Sequence, residues 1–527
     1  MADLKPGSLW APLRDGAFRT IWIATLVSNI GTWMHDVSAG WLMTTMAPEP
    51  LMVALVQAAT SLPMFLFALP AGALADIVDR RRLLIAAQTW MLIAAAALAG
   101  MALAGEVTPS RLLAGTFALA VGAAMNAPAW QAVVPDLVAR RYLAEALALN
   151  GVAVNVARSV GPAIGGFIVA GFGPAAVFAL NSLSFLAVIG ALYRWRREPA
   201  ERALPPERLF GAIRSGFRYV RRAPAFQAVV ARSGAFVLCG SALWALLPLI
   251  ARVELGSGPA GYGTLLGAFG LGAISAALAL PRLRANFAVE TLLAVSTITF
   301  AIVTAAIAHA PVLAIGCVAT FAGGAAWLLF LSILNVTAQT SVPAWVRARA
   351  IAAYLVIFFG AMSAGSAGWG WLAGRIGIAN AMAGAGTLMV AGLAMRRRFP
   401  VAGGEGADLA PDVHWPAPRV VGSIGFDRGP VLVTLDYRID PERARDFALA
   451  MDDVRVIRER DGALLWGLFV DAADPTRYVE SFLVDSWIEH LRQHERTTVA
   501  DRAILQRVRR FHVGSEGPIV SHLIAGE

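Results

Sequence analysis

The sequence predicts an all-α membrane protein of twelve transmembrane helices in two six-helix halves, with a small α+β domain at its C-terminal end. Three observations carry this. Of the 527 residues, 57% are hydrophobic and only 15% are charged, and the mean hydropathy is +0.63, too apolar for a soluble enzyme of this length. The arginines gather at alternate inter-helix loops: Arg80 to Arg82, Arg140 and Arg141, Arg194 with Arg196 and Arg197, Arg282 and Arg284, Arg347 and Arg349, and Arg396 to Arg398. Finally, Ala17-Phe18 recurs as Ala225-Phe226 and Gln131-Ala132-Val133-Val134-Pro135 as Gln339-Thr340-Ser341-Val342-Pro343, both at an offset of 208 residues. A shared offset marks a duplication.

Apolar runs long enough to cross a bilayer need roughly 20 residues. They are expected near 20–44, 51–75, 83–104, 111–134, 145–171, 175–193, 226–250, 260–281, 290–309, 312–336, 349–373 and 378–396. The first is too long for the apolar core of a cleavable signal peptide and no small-residue cleavage site follows it, so it reads as a span. Loops between the arginine clusters, such as Ala47-Pro48-Glu49-Pro50 and Gly105-Glu106-Val107-Thr108, carry almost no positive charge. Arginine-rich loops stay on the cytoplasmic side, which puts both termini in the cytoplasm and the chain in the inner (plasma) membrane. The same placement accounts for the net charge of +9 without nucleic acid as a partner. The domain order is then a cytoplasmic N-terminus at 1–17, a six-helix bundle at 18–193, a cytoplasmic linker at 194–224, a second bundle at 225–398, a linker at 399–428 and a cytoplasmic domain at 429–527. In the first linker Leu209, Ile213, Phe217 and Val220 share one helical face, as in a helix lying on the membrane surface. Cys239 and Cys317 sit inside apolar runs and read as small core residues.

The most specific local pattern is Gly72-Ala73-Leu74-Ala75-Asp76-Ile77-Val78-Asp79-Arg80-Arg81-Arg82, at the cytoplasmic end of the second span. Gly72 suits close approach of a neighbouring helix, Asp76 suits a helix N-terminus and a pairing with Arg80, and such contacts latch one side of a bundle shut in one state. Asp136, after Pro135, fits either a further partner for Arg80 or a helix cap. In the fifth span Asn150, Asn155 and Arg158 precede Gly161-Pro162-Ala163-Ile164-Gly165-Gly166. Its glycines allow close helix packing, and Pro162 weakens the helix and favours a bend. Arg158 lies near the bilayer midplane, where a charge is costly and kept for a purpose. With Asn155 one turn before it and Asn150 two, the three suit an anionic or polar ligand, or a set of inter-helix hydrogen bonds. In the first span His35 and Asp36 are also costly in lipid. Asp36 is the preferred proton-coupling or cation-binding carboxylate, with a water-facing position at the far end of the span as the alternative, and Asn29 is placed on the same pathway. Arg232 in the seventh span is a further candidate, close enough to the cytoplasmic end to snorkel.

The 72–82 pattern resembles the signature loop of the major facilitator superfamily, with Asp79 where that family usually has glycine. The Gly-Pro-x-x-Gly-Gly run resembles the fifth-helix motif of exporters in that superfamily, with Ala157 in place of an upstream glycine. The longest resemblance is to the transmembrane secretion effector branch, which includes enterobactin exporters. It rests on Phe18-Arg19, Ser28-Asn29-Ile30-Gly31-Thr32-Trp33-Met34, Trp41-Leu42, Asp79-Arg80-Arg81-Arg82 and Asn155 through Gly166, and covers roughly the first 400 residues. It implies two halves rocking around a midplane site, and efflux.

After the second linker, Val431 to Arg438 reads as a strand and Pro441 opens a helix to about Glu459. Strands follow near 463–470 and 477–484, then a long amphipathic helix from about Ser486 to Val508 and a last strand at 518–524. This order is ferredoxin-like. It resembles the antibiotic-biosynthesis-monooxygenase type of dimeric α/β barrel, and Trp487 to His494 resembles the tail of secretion effectors; pairing of such domains implies a homodimer. His490 and His494 are spaced to share a metal, but the glutamate that follows the first histidine in a metalloprotease is missing. They read instead as a solvated helix face, and no metal or cofactor is expected. The sequence has no phosphate-cradling glycine loop or Walker signature, which points to an ion gradient rather than ATP as the driver.

The leading expectation is a non-enzymatic exporter of small drug-like or siderophore-like compounds, working by proton antiport and alternating access. Two alternatives stay open on the sequence: uptake, and a membrane-tethered sensor or oxygenase in which the tail is the active part. Midplane Arg158 and the duplicated bundle weigh against a passive anchor.

Overall fold

The computed structural model describes residues 10–195, 221, 223–401, 424, 425, 427–514 and 516–526. The surface helix expected over Leu209 to Val220 and most of the 399–428 linker lie outside the described residues, as do the side chains of Asp76 and His494.

The helices α1 (Gly16–Met46), α2 (Pro50–Ile77), α3 (Arg80–Leu103), α4 (Pro109–Leu137) and α5 (Leu143–Arg194) come first. They are followed by α6 (Pro224–Leu249), α7 (Pro259–Asn286), α8 (Val289–Ala306), α9 (Leu313–Thr340), α10 (Ala344–Ile376) and α11 (Ile378–Ala391). Their starts follow from local chemistry. Asp15 accepts from the N–H groups of Ala17 and Phe18, Asp79 from that of Arg82 and Thr108 from that of Arg111, satisfying donors that a first helical turn leaves open. Pro50, Pro109 and Pro259 open α2, α4 and α7, where a missing N–H costs nothing. Among the described residues ten helices are long and apolar enough to cross a membrane. The helix α1 is not one of them, because Asn29, His35, Asp36 and Ser38 dilute its apolar run.

The 52-residue α5 runs through both the fifth and the sixth expected span, and its one non-helical residue is Gly173, at φ 78°. A left-handed value is strained for any residue with a Cβ, so glycine is what lets the chain break there. The break falls between the fifth and sixth expected spans, and the backbone is helical through Gly161 to Gly166. Beyond Pro248, α6 ends in a single π turn, Ile250–Glu254.

The described residues fall into two compact units. The first takes in everything up to 195 together with Val230–Asn335 and Tyr354–Val401. Within it α1 and α3 pack on α5, α2 on α4, α5 on α7, and α8 on α11. Phe18, Ile21, Trp22, Leu84, Val133, Leu149 and Leu192 form a buried cluster at one end, where the Trp22 indole donates to the Leu149 carbonyl at 3.2 Å.

The second unit takes in Val336–Ala353 and the described part of Ala402–Glu527. Its tail contains β1 (Val431–Arg438), α12 (Ala444–Asp461), β2 (Leu465–Val470), β3 (Arg477–Val484), α13 (Trp487–Arg496), α14 (Val499–Arg509) and β4 (Ile519–Ile524). The four strands form an antiparallel sheet in the order β2-β3-β1-β4. Val431, Val433, Leu435 and Tyr437 alternate inward from β1 and meet Phe447, Met451 and Val454 of α12. A buried ion pair, Arg458 to Glu480 at 2.9 Å, sits in this core, and the Trp466 indole also donates to Glu480. The single long helix expected from Ser486 to Val508 is two helices. Thr498 and Asp501 cap each other's backbone groups at the start of α14, and that reciprocal capping ends one helix and starts the next.

Candidate functional site

The candidate residues of α5 form one small cluster. Arg158 donates from Nη2 to the Asn155 side-chain oxygen at 2.5 Å, and Asn155 in turn donates to the Gly151 carbonyl. That amide is the polar side chain found on the guanidinium among the described residues, and the Arg158 Nε is buried without a hydrogen-bond partner. Pro162 cannot donate to the carbonyl four residues back, which belongs to Arg158. Among the described residues no hydrogen bond joins the Asn150 or Asn29 side chain to this cluster.

The glycine motif places α1 and α7 against α5. A Cβ at Gly161 would lie 2.7 Å from the Trp33 Cβ, and one at Gly165 would lie 2.8 Å from the Met34 Cα. On the other side of α5, a Cβ at Gly166 would lie 2.6 Å from the Pro259 carbonyl oxygen and 2.8 Å from the Gly263 Cα. The motif is therefore a backbone-to-backbone crossing of three helices. It also sets Trp33 one turn from Arg158 on α5. Trp33 faces Trp244 of α6 at 6.4 Å, and Trp244 packs edge-on against Phe269 of α7 and Trp327 of α9. The Trp244 Nε1 is buried, with no hydrogen-bond partner among the described residues. Buried donor atoms without partners among the described residues, the Arg158 Nε and the Trp244 Nε1, suit a ligand that supplies acceptor atoms.

Asp36 is half-buried on α1 and within electrostatic reach of Tyr262 on α7. One turn further, Gly40 leaves room for Pro248 and for the Tyr262 hydroxyl, which would lie 3.5 Å from a Cβ there. Trp41 stacks on Tyr262 at 6.4 Å, and Arg252, carried by the π turn, lies 6.0 Å over Trp41 and donates to Thr44 at 3.3 Å. The far ends of α1, α6 and α7 are thus joined through side chains. His35, beside Asp36, is fully buried against Phe178, and among the described residues neither ring nitrogen has a hydrogen-bond partner.

Sequence reading missed Trp244, Tyr262 and Arg252. Each lies in an apolar or unremarkable run, and only the convergence of helices far apart in the chain brings them together. Arg232 has a different setting from the one expected. It is buried and bound to Glu290 at 2.6 Å, and Glu290 also accepts from the Val401 N–H, so its charge is answered within the bundle.

At the other end of the bundle Arg80 donates to the Ala132 carbonyl at 2.8 Å and lies 3.6 Å from Asp136. Arg81 donates to the carbonyls of Leu192 and Tyr193. Asp79 caps α3. A Cβ at Gly72 would meet nothing within 4 Å. In the tail His490 is buried against Trp487 and His522, with ring centroids at 5.3 and 4.6 Å, and not on a solvated face. Among the described residues no group of three or more His, Cys, Asp or Glu side chains is placed to hold a metal.

The profile of the transmembrane secretion effectors matches residues 7–527. The chain belongs to this family. It is a branch of the major facilitator superfamily, and the protein is accordingly a multi-pass membrane transporter. It is 27% identical over 322 residues to the enterobactin exporter of Salmonella typhimurium, covering 60% of this chain and 76% of the exporter. It is 26% identical over 162 residues to the staphyloferrin A transporter of Staphylococcus aureus, covering 30% of this chain and only 41% of that protein. Among solved structures, a D-xylose–proton symporter matches with a TM-score of 0.60 at 14% identity, over 74% of this chain and 99% of the symporter. A bacterial homolog of the human lysosomal transporter Spinster, inward-facing and unoccupied, matches with a TM-score of 0.56 at 14% identity, over 74% of this chain and 95% of that one. These likenesses establish the fold of the membrane part of this secretion effector.

Proposed function

We propose that this secretion effector is a proton antiporter that moves a small, acceptor-rich compound out of the cell by alternating access. The observation that carries the reading is Arg158: a partly buried guanidinium held by a neutral amide, its Nε without a partner among the described residues, one turn from Gly161, which meets Trp33. A buried cation without a carboxylate is costly, and an anionic cargo offsets that cost. Asp36 is the coupling carboxylate, exchanging a proton as access alternates, with Tyr262 over it. Arg80 and Asp136, with Gly72 and Asp76, form the cytoplasmic latch. The ten apolar helices, α1 and the division of α5 at Gly173 support a reading of twelve spans. The arginine-rich loops favour cytoplasmic termini and the inner membrane. Export is favoured over uptake by the name of the enterobactin exporter.

The tail is read as a ferredoxin-like unit of the dimeric α/β-barrel type, from its strand order, with the domain bounds the sequence suggests. The sheet face turned away from the helices carries Leu465, Phe469, Ile519 and Leu523, all exposed. A second copy of the same face covers it and makes a homodimer. Nothing in this reading needs catalysis by the tail.

The test is proton flux in proteoliposomes holding the purified protein and a trapped pH dye, challenged with ethidium and with a catecholate anion. Compound-dependent proton movement that Asp36→Asn abolishes is expected. Flux intact in Asp36→Asn removes Asp36 from the coupling role, and flux no greater than in empty liposomes for every compound defeats antiport.

A further inference from the structure

The two halves are latched differently. In the first, Arg80 binds the end of α4 through Ala132 and Asp136. The 208-residue offset sets Thr340 at the place of Ala132, Ala344 at the place of Asp136 and Ala288 at the place of Arg80. The second half therefore lacks both charged members of the pair. At that same junction, in the residue after Ala344, Trp345 receives an arginine from elsewhere: the Arg496 guanidinium of the tail lies 4.7 Å over its ring. Val336–Ala353 and the tail belong to one compact unit.

Arg496 is not a loose surface side chain. It is 3% exposed, and its Nη1 donates to the Asp461 carbonyl at 2.6 Å and to Glu489 at 2.9 Å. Glu489 is bound from its other oxygen by Arg492. Burial alone would push the Glu489 carboxyl up, and the charges and hydrogen bonds of Arg496 and Arg492 together outweigh it and hold the group below its usual range. The carboxylate thus stays charged and braces the guanidinium at neutral pH. A braced planar cation on an indole face is a directional contact, so it reports the position of the tail to the first turn of α10.

We infer that the C-terminal domain is the missing latch of the second half: Arg496 on Trp345 holds the α9–α10 junction in one state of the cycle and lets go of it in the other. The inference rests on the alternating-access reading above and assigns the tail a mechanical part in it.

The full chain in lipid nanodiscs tests this, with Cys239→Ala and Cys317→Ala as background. Trp345→Cys with Arg496→Cys is oxidised with copper phenanthroline, and a protease site inserted in the 399–428 linker reveals an intramolecular link. Spin labels at positions 139 and 286 report the separation of the halves. The pair is expected to link, keeping the cleaved fragments together until reduced, and the label distances to narrow to one population. Trp345→Ala, which leaves every Arg496 hydrogen-bond partner in place, is expected to raise the alternate population about fivefold, and Arg496→Lys to do the same because it loses the planar stack. Failure to link overturns the contact. Linking that leaves the distances unchanged, or a Trp345→Ala distribution identical to wild type, overturns the latch. Neither readout depends on finding a cargo, so failure here is separable from failure of proton flux.

Discussion

Replacing Gly166 by alanine separates two uses of one glycine motif. The added Cβ would lie 2.6 Å from the Pro259 oxygen and 2.8 Å from the Gly263 Cα, where ordinary contact begins at 3.4 Å. Both atoms are backbone, so no side chain can swing aside, and α5 and α7 must move apart by nearly an ångström. Overpacking of this kind costs about 1–3 kcal/mol. Because α5 and α7 come from different halves, the cost falls on the arrangement in which the far ends meet. The population of the opened arrangement is expected to rise by about 5- to 150-fold. Gly161→Ala is the control: its Cβ would strike Trp33 and Ile30 of α1, within the same half, so it should lower thermal stability without opening the bundle. The assay is pulsed electron–electron resonance between spin labels at Glu49 and Glu254, two exposed residues of the far end, in the cysteine-free chain. A Gly166→Ala distribution matching wild type, or a Gly161→Ala distribution as open as that of Gly166→Ala, would refute the reasoning.

Two further outcomes follow from the site and the tail. Asn155→Ala should destabilise the protein by about 1.5–3 kcal/mol in thermal unfolding, since it strips the buried Arg158 of its acceptor; Arg158→Leu, which removes the charge as well, should unfold near wild type while losing transport of anions, and a Leu variant that transports them normally would exclude Arg158 from the cargo site. Phe469→Glu places a charge on the bare sheet face and should shift the purified protein from dimer to monomer in light scattering; an unchanged mass would discount pairing through that face.

The long apolar helices were legible to within a few residues at their ends, as were the four strands of the tail. The expected run at 111–134 is the core of Pro109–Leu137, and 477–484 is β3 itself. Both signals are local: a stretch apolar enough to leave water, and an alternation that puts every second side chain inside. The importance of Gly161 to Gly166 was legible too, but not its use. Which helices the motif joins was not written locally: Gly161 and Gly165 meet α1 and Gly166 meets α7, whose residues lie about a hundred positions away in the chain.

The sequence by itself determined which segments are apolar enough to enter a membrane and which charged residues are expensive there, since transfer free energy and helical period depend only on neighbouring residues. The tertiary structure alone decided which of those charges are answered. Arg232 finds Glu290 58 positions away, Arg252 finds Thr44 208 positions away, and Arg158, among the described residues, finds its own helix's Asn155. A partner that arrives from another helix leaves no local pattern, and the cost of a buried charge is set by that partner.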